Sequence, residues 1–335
     1  MFRMKKISIK DIAELSGYSI ATVSRVINKK GKYSKRTEKK ILKIIEETEY
    51  QPNYSAKSLR GNQSYTIGVL IPDITNSFFS SLVQEIEKSL FNAGYSTIIT
   101  STNRDKEKET RYINTLLAKN VDGLIIISGE KNFDISEYPL LQETPFICID
   151  RRPSHNTPAS LISSDHFQGA YEATMALLNK NVSHPVILVY DKDNPTAIDR
   201  IGGFNQAISD NNLPFYRDQV YELGYKSTDE IDKAIRDIIS KNNIDGIFAV
   251  NDDIAALSIL VAKNLNVSIP EKLKIIGFDN SNFCNYTSPT LSSINQDTHN
   301  IAKKSVSQLI KEINNPNTKK EKILVPTELF LRDSI

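Results

Sequence analysis

The stretch Ser8–Asn28, SIKDIAELSGYSIATVSRVIN, decides how the whole chain is read. Ser8 stands where a helix start wants a capping hydroxyl, and Asp11 three residues on is its capping-box partner. Ile9, Ile12 and Ala13 fall on one helical face. Gly17 occupies the place just past a helix end, where a left-handed backbone costs glycine little. Ser19 offers a second cap, after which Val23, Val26 and Ile27 recur at helical spacing. Two short helices joined by a tight turn are thus predicted, a helix-turn-helix. In such a unit the second helix enters the DNA major groove with its N-terminal residues at the base edges. Those residues are Ile20, Ala21, Thr22, Ser24 and Arg25.

Charge supports a nucleic-acid partner at this end. The chain has 335 residues and a formal net charge of +2. Residues 1–60 hold 15 Lys+Arg against 6 Asp+Glu, leaving 27 against 34 for the remainder. A basic end on an acidic body is the electrostatic footprint of nucleic-acid binding confined to one region. After the second helix, a basic loop from Lys29 to Tyr33 leads to Ser34, which caps a third helix predicted over residues 35–49. Ile41, Ile44 and Ile45 form its buried stripe, with Lys35, Arg36, Lys39, Lys40 and Lys43 toward solvent or phosphate. Phosphate contacts of this kind set position and salt dependence without reading sequence.

These words, together with YQPNYSAKSLR over residues 50–60, closely resemble the headpiece of the lactose-repressor (LacI/GalR) family of bacterial transcriptional regulators. The body is loosely closest to ribose- and sucrose-operon repressors. The resemblance implies operator contacts from Ser19, Ile20, Ala21, Thr22, Ser24, Arg25, Asn28 and Tyr33. It further implies a hinge helix over residues 51–61, carrying Asn53 and Ala56, that pairs with its dimer mate in the minor groove. Leu59 matches the leucine that wedges between base pairs there. From the residues themselves, Pro52 and Gly61 frame one or two helical turns, too short to be stable alone in water.

From Tyr65 onward, short apolar runs alternate with amphipathic helices. Runs such as Ile67–Ile71, Gly123–Ile127, Val186–Val189 and Ile275–Phe278 are nearly continuous, the mark of parallel strands covered on both faces. Nine strands before residue 280 are too many for one small sheet, so two α/β lobes are expected. The predicted organisation is a helix-turn-helix domain over 5–50, the hinge at 51–61, and a first lobe of 65–163 plus 293–322. A second lobe takes 164–292 plus 323–331, with Ser292–Gln296 crossing back to the first and a single last strand over 323–331. This matches the periplasmic-binding-protein-like body of the same family.

Ligands of open parallel sheets lie beyond the carboxyl ends of the strands. Those positions hold Asp73, Ser128, Asp150, Asp191, Asn251-Asp252 and Asp279. Carboxylates and an amide suit hydroxyl groups, and Phe78 and Phe79 can stack on a sugar ring. The resemblance assigns the effector contacts to Asp150, Arg200, Asn251 and Asp279, with Gln296 as a further polar contact. Two positions depart from the family pattern: Ser77 stands where proline is common, and Tyr225-Lys226 stand where an aromatic usually follows Gly-Asp. Arg200 has a structural alternative as an ion pair, and His166 reads as capping or surface.

Several classes are disfavoured. No phosphate-binding GxxxxGK[ST] loop, GxGxxG fingerprint or GxSxG elbow occurs, so an enzyme is not expected. His155, His166, His184 and His299 are scattered and give no metal site or triad. No cofactor is expected. No run of about 18 apolar residues predicts a membrane span. Cys148 and Cys284 sit in apolar surroundings and read as reduced, in a cytoplasmic protein. The expected partners are pseudo-palindromic operator DNA, a small sugar and a second copy of the chain. A sugar-binding receptor and a regulator answering to a non-sugar corepressor are the competing readings.

Overall fold

A computed structural model describes residues 7–27, 31–48, 50, 63–127, 132–213, 219–241 and 243–335. The chain forms two compact units, Met1–Ser64 and Tyr65–Ile335.

The first unit holds α1 (Ile9–Ser16), α2 (Ile20–Ile27) and α3 (Lys35–Glu47). The capping box at Ser8 is formed: its N–H donates to Asp11 Oδ2 at 2.7 Å, and Asp11 N–H returns to Ser8 Oγ. Gly17, at φ 72°, ends α1 in the left-handed region and donates its N–H to the Ala13 carbonyl. Ser34 caps α3 by accepting from Thr37 N–H at 3.1 Å. Ile12, Ala13, Val23, Val26, Ile41 and Tyr50 close a small core. Each fully buried aliphatic side chain there contributes about 1.5–3 kcal/mol.

The second unit is built on two six-stranded sheets. The first contains β1 (Thr66–Ile71), β2 (Ser96–Ser101), β3 (Gly123–Ile127), β4 (Phe146–Ile149), β5 (Ser160–Ser164) and β11 (Lys322–Val325). Its order is β11-β5-β4-β3-β1-β2, all parallel. Side chains alternate along each strand. Ile125, Ile127, Ile147 and Ile149 meet α4 (Ser77–Asn92) and α10 (Thr298–Asn314) on one face. Leu124, Ile126, Phe146 and Cys148 pack with α5 (Lys106–Ala118) on the other.

The second sheet contains β6 (Pro185–Val189), β7 (Val220–Glu222), β8 (Gly246–Ala249), β9 (Lys274–Asp279), β10 (Ser292–Gln296) and β12 (Thr327–Phe330). Its order is β12-β10-β9-β8-β6-β7, parallel except for β12. Its helices are α6 (His166–Leu178), α7 (Pro195–Asp210), α8 (Thr228–Lys241) and α9 (Asp252–Asn264). Among the described residues, no helix is long and apolar enough to cross a membrane.

Two expectations need correction. Ser292–Gln296 does not return to the first sheet: it lies between β9 and β12 in the second, and the return comes after it, with α10. The predicted last strand is two strands, β11 in the first sheet and β12 in the second. Pro326 separates them, having no N–H to continue a ladder. The polar run Ser-Ser-Ile-Asn-Gln carries no signal for which sheet it joins, because that depends on the crossover rather than on local pattern. The chain therefore passes between the sheets three times: after β5, after β10 and at Pro326.

The approach of α6 and α7 bears on the site. A Cβ at Gly203 would overlap the Phe167 carbonyl oxygen and stand 2.8 Å from Tyr171 N. Only glycine lets the two backbones come this close. Gly203→Ala is therefore expected to lower the urea-unfolding free energy by about 1–3 kcal/mol, the range for overpacking a tight contact. A parental unfolding midpoint in that variant would contradict the close approach.

Candidate functional site

The body carries a cleft at the carboxyl ends of its strands. Eight sequence-predicted residues line it: Phe78, Phe79, Asp150, Asp191, Arg200, Asn251, Asp279 and Gln296. Asp73 does not. Its carboxylate turns back on its own loop, accepting from Thr75 N–H at 2.8 Å and Thr75 Oγ1 at 2.7 Å. Ser128, Asn28, Asn53, Ala56 and Leu59 lie outside the described residues.

Local structure places each group. Phe78 and Phe79 open α4 and form an edge-on pair at 5.4 Å, buried in the first core with their edges on the cleft. Three helices begin at the cleft with an asparagine cap. Asn76 accepts from Phe79 N–H at 3.2 Å, Asn194 from Thr196 N–H at 3.0 Å and Asn251 from Ile254 N–H at 3.0 Å. Each cap turns a helix N-terminus, with its partial positive charge, toward the cavity.

Asp150 follows β4 with φ 53°. Its Oδ1 accepts from Ser163 Oγ at 2.7 Å, Ser164 N–H at 3.2 Å and the His166 ring at 3.0 Å. Burial pushes this carboxyl up, but His166, Ser163 and Arg200 together hold it below the usual carboxylate range. Asp279, ending β9, behaves oppositely: burial and the neighbouring Asp252 raise it well above its ordinary value, against the pull of Arg200. Its Oδ1 accepts from Gln296 Nε2 at 2.6 Å. The first carboxyl is thus favoured as a charged acceptor while the second is pushed toward its protonated form, a separation set by environment.

Arg200 is 7% exposed. Its guanidinium lies 3.8 Å over the Phe278 ring, donates from Nη1 to the Val250 carbonyl and meets His166 Nδ1 at 3.2 Å through Nη2. Its Nε–H has no protein partner, and neither has Oε1 of the 3%-exposed Gln296. Buried polar atoms are nearly always paired, so these two require an explanation.

The cleft also gathers residues that sequence reasoning did not assign to it: Asn76, Arg104, Tyr190, Asn194 and Thr196. Asn194 before Pro195 was legible as a cap followed by a first-turn proline. Arg104 and Tyr225 come together only through lobe packing: the guanidinium lies 4.2 Å over the Tyr225 ring, which stacks on Tyr190 at 5.0 Å. Tyr225, not Lys226, fills the departing position. Ser77 links the lobes through a 2.7 Å hydroxyl pair with Ser281, which a proline would not make. His166 is neither cap nor surface. It is 2% exposed, and the cap of α6 is Asp165, accepting from Gln168 N–H at 3.1 Å.

In the headpiece, Ser19 caps α2 by accepting from Thr22 N–H at 3.2 Å. Ser19, Ala21 and Arg25 are exposed and Thr22 and Ser24 half-buried, while Ile20 and Tyr33 lean on the core. Lys35, Arg36, Lys39, Lys40 and Lys43 are all exposed along α3.

Residues 8–53 match the model of bacterial regulatory proteins of the lacI family, and residues 174–335 that of a periplasmic binding protein-like domain. The chain is 35% identical over 331 residues to the sucrose operon repressor of Streptococcus mutans, spanning 98% of this chain and 99% of that protein. The chain belongs to the lacI family. This regulator also shares its fold with the lac repressor dimer solved with operator and an anti-inducer, at a TM-score of 0.87 and 23% identity over 98% and 99% of the two chains. A lacI-family regulator from Enterococcus faecium, solved with bound ribose, is similar at a TM-score of 0.70 and 30% identity over 80% of this chain and 98% of that one. As a member of this family the protein is a DNA-binding transcriptional regulator and not an enzyme.

Asp252, fully buried beneath the cleft floor, accepts from Ser281 N–H and Ser293 Oγ, each at 2.6 Å. Burial still raises its carboxyl to about 6. The folded chain thus holds this proton more tightly than the unfolded chain, where a carboxyl titrates near pH 4. Its contribution is greatest on the acid side and declines as pH rises from about 4 through about 6. Relative to Asp252→Asn, the parent should lose roughly 1–3 kcal/mol of urea-unfolding free energy between pH 4.5 and pH 7. Identical pH dependence in both proteins would count against a buried, proton-holding Asp252.

Proposed function

We propose that this regulator represses a carbohydrate-utilisation operon and releases its operator when a small sugar occupies the cleft. The observation that carries the reading is the pair of buried, unpartnered atoms on one wall, the donor Arg200 Nε–H and the acceptor Gln296 Oε1. Beside them stand the ionised Asp150, the carboxyl of Asp279 and the cap amide of Asn251. Donors and acceptors gathered in one cleft match vicinal hydroxyls, each of which gives one hydrogen bond and takes others. Phe78 and Phe79 offer apolar surface for the ring carbons. The sucrose operon repressor and the ribose-bound regulator among its relatives support the sugar class.

On the DNA side, Ser19, Ala21, Thr22, Ser24 and Arg25 form the base-reading face of α2, with Ile20 and Tyr33 at its margins; Asn28 is a further operator contact. The lysines and arginine of α3 take phosphates. A homodimer in the cytoplasm sets two such faces on a pseudo-palindrome. The hinge at residues 51–61, with Asn53, Ala56 and Leu59, couples lobe closure to minor-groove contact. This is a coupling free energy between two sites, and a sugar that favours the closed lobes weakens operator binding by the same factor that operator weakens sugar binding.

The test is electrophoretic mobility of the chain's own upstream DNA with purified full-length protein, titrated with ribose, fructose and sucrose. One of them should release the DNA. Arg200→Ala should bind the DNA as the parent does and ignore that sugar, with sugar affinity reduced at least about tenfold, the scale for hydrogen bonds to a charged group. A normal sugar response in that variant would remove Arg200 from the site, and tightened DNA binding with sugar would reverse the sign of the switch.

A further inference from the structure

His166 is the first helical residue after the chain leaves the first sheet, and it stands between two groups of the cleft contributed by different lobes. Nε2 lies 3.0 Å from Asp150 Oδ1 on the exit of β4, and Nδ1 lies 3.2 Å from Arg200 Nη2 on α7. A guanidinium has donors only. Nδ1 must therefore be the bare, accepting nitrogen, which puts the ring proton on Nε2, where it donates to Asp150. The neighbours fix the tautomer.

We propose that His166, as the neutral Nε2–H tautomer, is a positioning residue that holds the Asp150 carboxylate and the Arg200 guanidinium in register for the sugar. The proposal rests on the sugar reading above.

The geometry gives this bridge a direction. All three donors to Asp150 converge on Oδ1, leaving Oδ2 for a ligand. Arg200 is likewise held at Nη1 and Nη2, which aims its unpartnered Nε–H. The charged groups around the ring are Asp150 and Arg152 after β4, Asp165 at its own cap, Asp199 and Arg200 on α7, Lys322 on β11 and, behind Arg200, Asp279. Phe278 carries the tilted ring at 5.7 Å and the Arg200 cation on its face, so displacement of one group disturbs the packing of the other.

Two measurements on the full-length protein test this. The first needs no sugar. Long-range proton–nitrogen spectra of the histidine rings, with His166 identified by its absence in His166→Asn, should show Nε2–H and a bare Nδ1 at pH 7.5. An Nδ1–H tautomer overturns the bridge. The second is calorimetric titration with ribose, fructose and sucrose at pH 7.5. His166→Leu should bind the parent's sugar roughly tenfold more weakly, the scale of one lost hydrogen bond to a charged group. His166→Asn, which keeps a donor and an acceptor on one planar group, should recover most of the affinity. Parental affinity in His166→Leu, or no recovery in His166→Asn, overturns the proposal. If the parent binds none of the three sugars, the sugar reading falls and the claim about affinity with it. The tautomer, read without ligand, still decides whether the bridge exists.

Discussion

The site depends on one buried cation. Arg200 sits on the face of Phe278, bound to the Val250 carbonyl and to His166, with Asp150 and Asp279 close enough to act on its charge. A guanidinium this deep is tolerable only because its N–H groups are directed and opposite charge is near. Its presence also explains why the two carboxyls differ. Asp150 reaches it through the imidazole while taking three donors on one oxygen, and stays ionised. Asp279 is buried close to Asp252, and burial together with the repulsion from that neighbour raises its carboxyl.

This arrangement requires the backbone to bring distant segments close. Asp150 leaves the first sheet, His166 begins the helix after the first crossover and Arg200 lies on the next helix but belongs to the second sheet's cover. Gly203 lets α7 lie against the first turn of α6, where His166 begins, one turn beyond Arg200. The three passages between the sheets allow the lobes to move as bodies, and the ties across their mouth are few and polar. They include Asn76 with Asp253 at 2.8 Å, the Ser77–Ser281 hydroxyl pair and Arg104 over Tyr225. Polar ties of this kind break and re-form at low cost because water replaces them, which suits a cleft that must admit a ligand.

The headpiece follows a different economy. Its core is six buried residues, its outer face small and polar, and its lysines are spread along α3 without burial. Affinity for a polyanion needs exposed cations more than shape, whereas recognition of a neutral, hydroxylated ligand needs fixed, desolvated donors and acceptors. The segregation of basic and acidic residues along the chain reflects those two demands.

The sequence by itself determined the helix-turn-helix, from the capping box, Gly17 and the apolar spacing, because these signals act within a turn or two of helix. It determined the two-lobed α/β class, because strands buried on both faces must be continuously apolar. It also supplied eight residues of the cleft, since strand ends and the family resemblance both point there. Tertiary structure alone decided the rest. Which sheet received Ser292–Gln296, and the division of the last strand at Pro326, depended on crossovers that local pattern does not encode. Asp73 was turned away by its own Thr75, and His166 was carried inward by a helix start that looks from sequence like any capped turn. Arg104 and Tyr225, 121 positions apart, met only when the lobes did. The physical reason is common to all of these: a residue's chemistry is local, but its partners are set by how the sheets and helices pack.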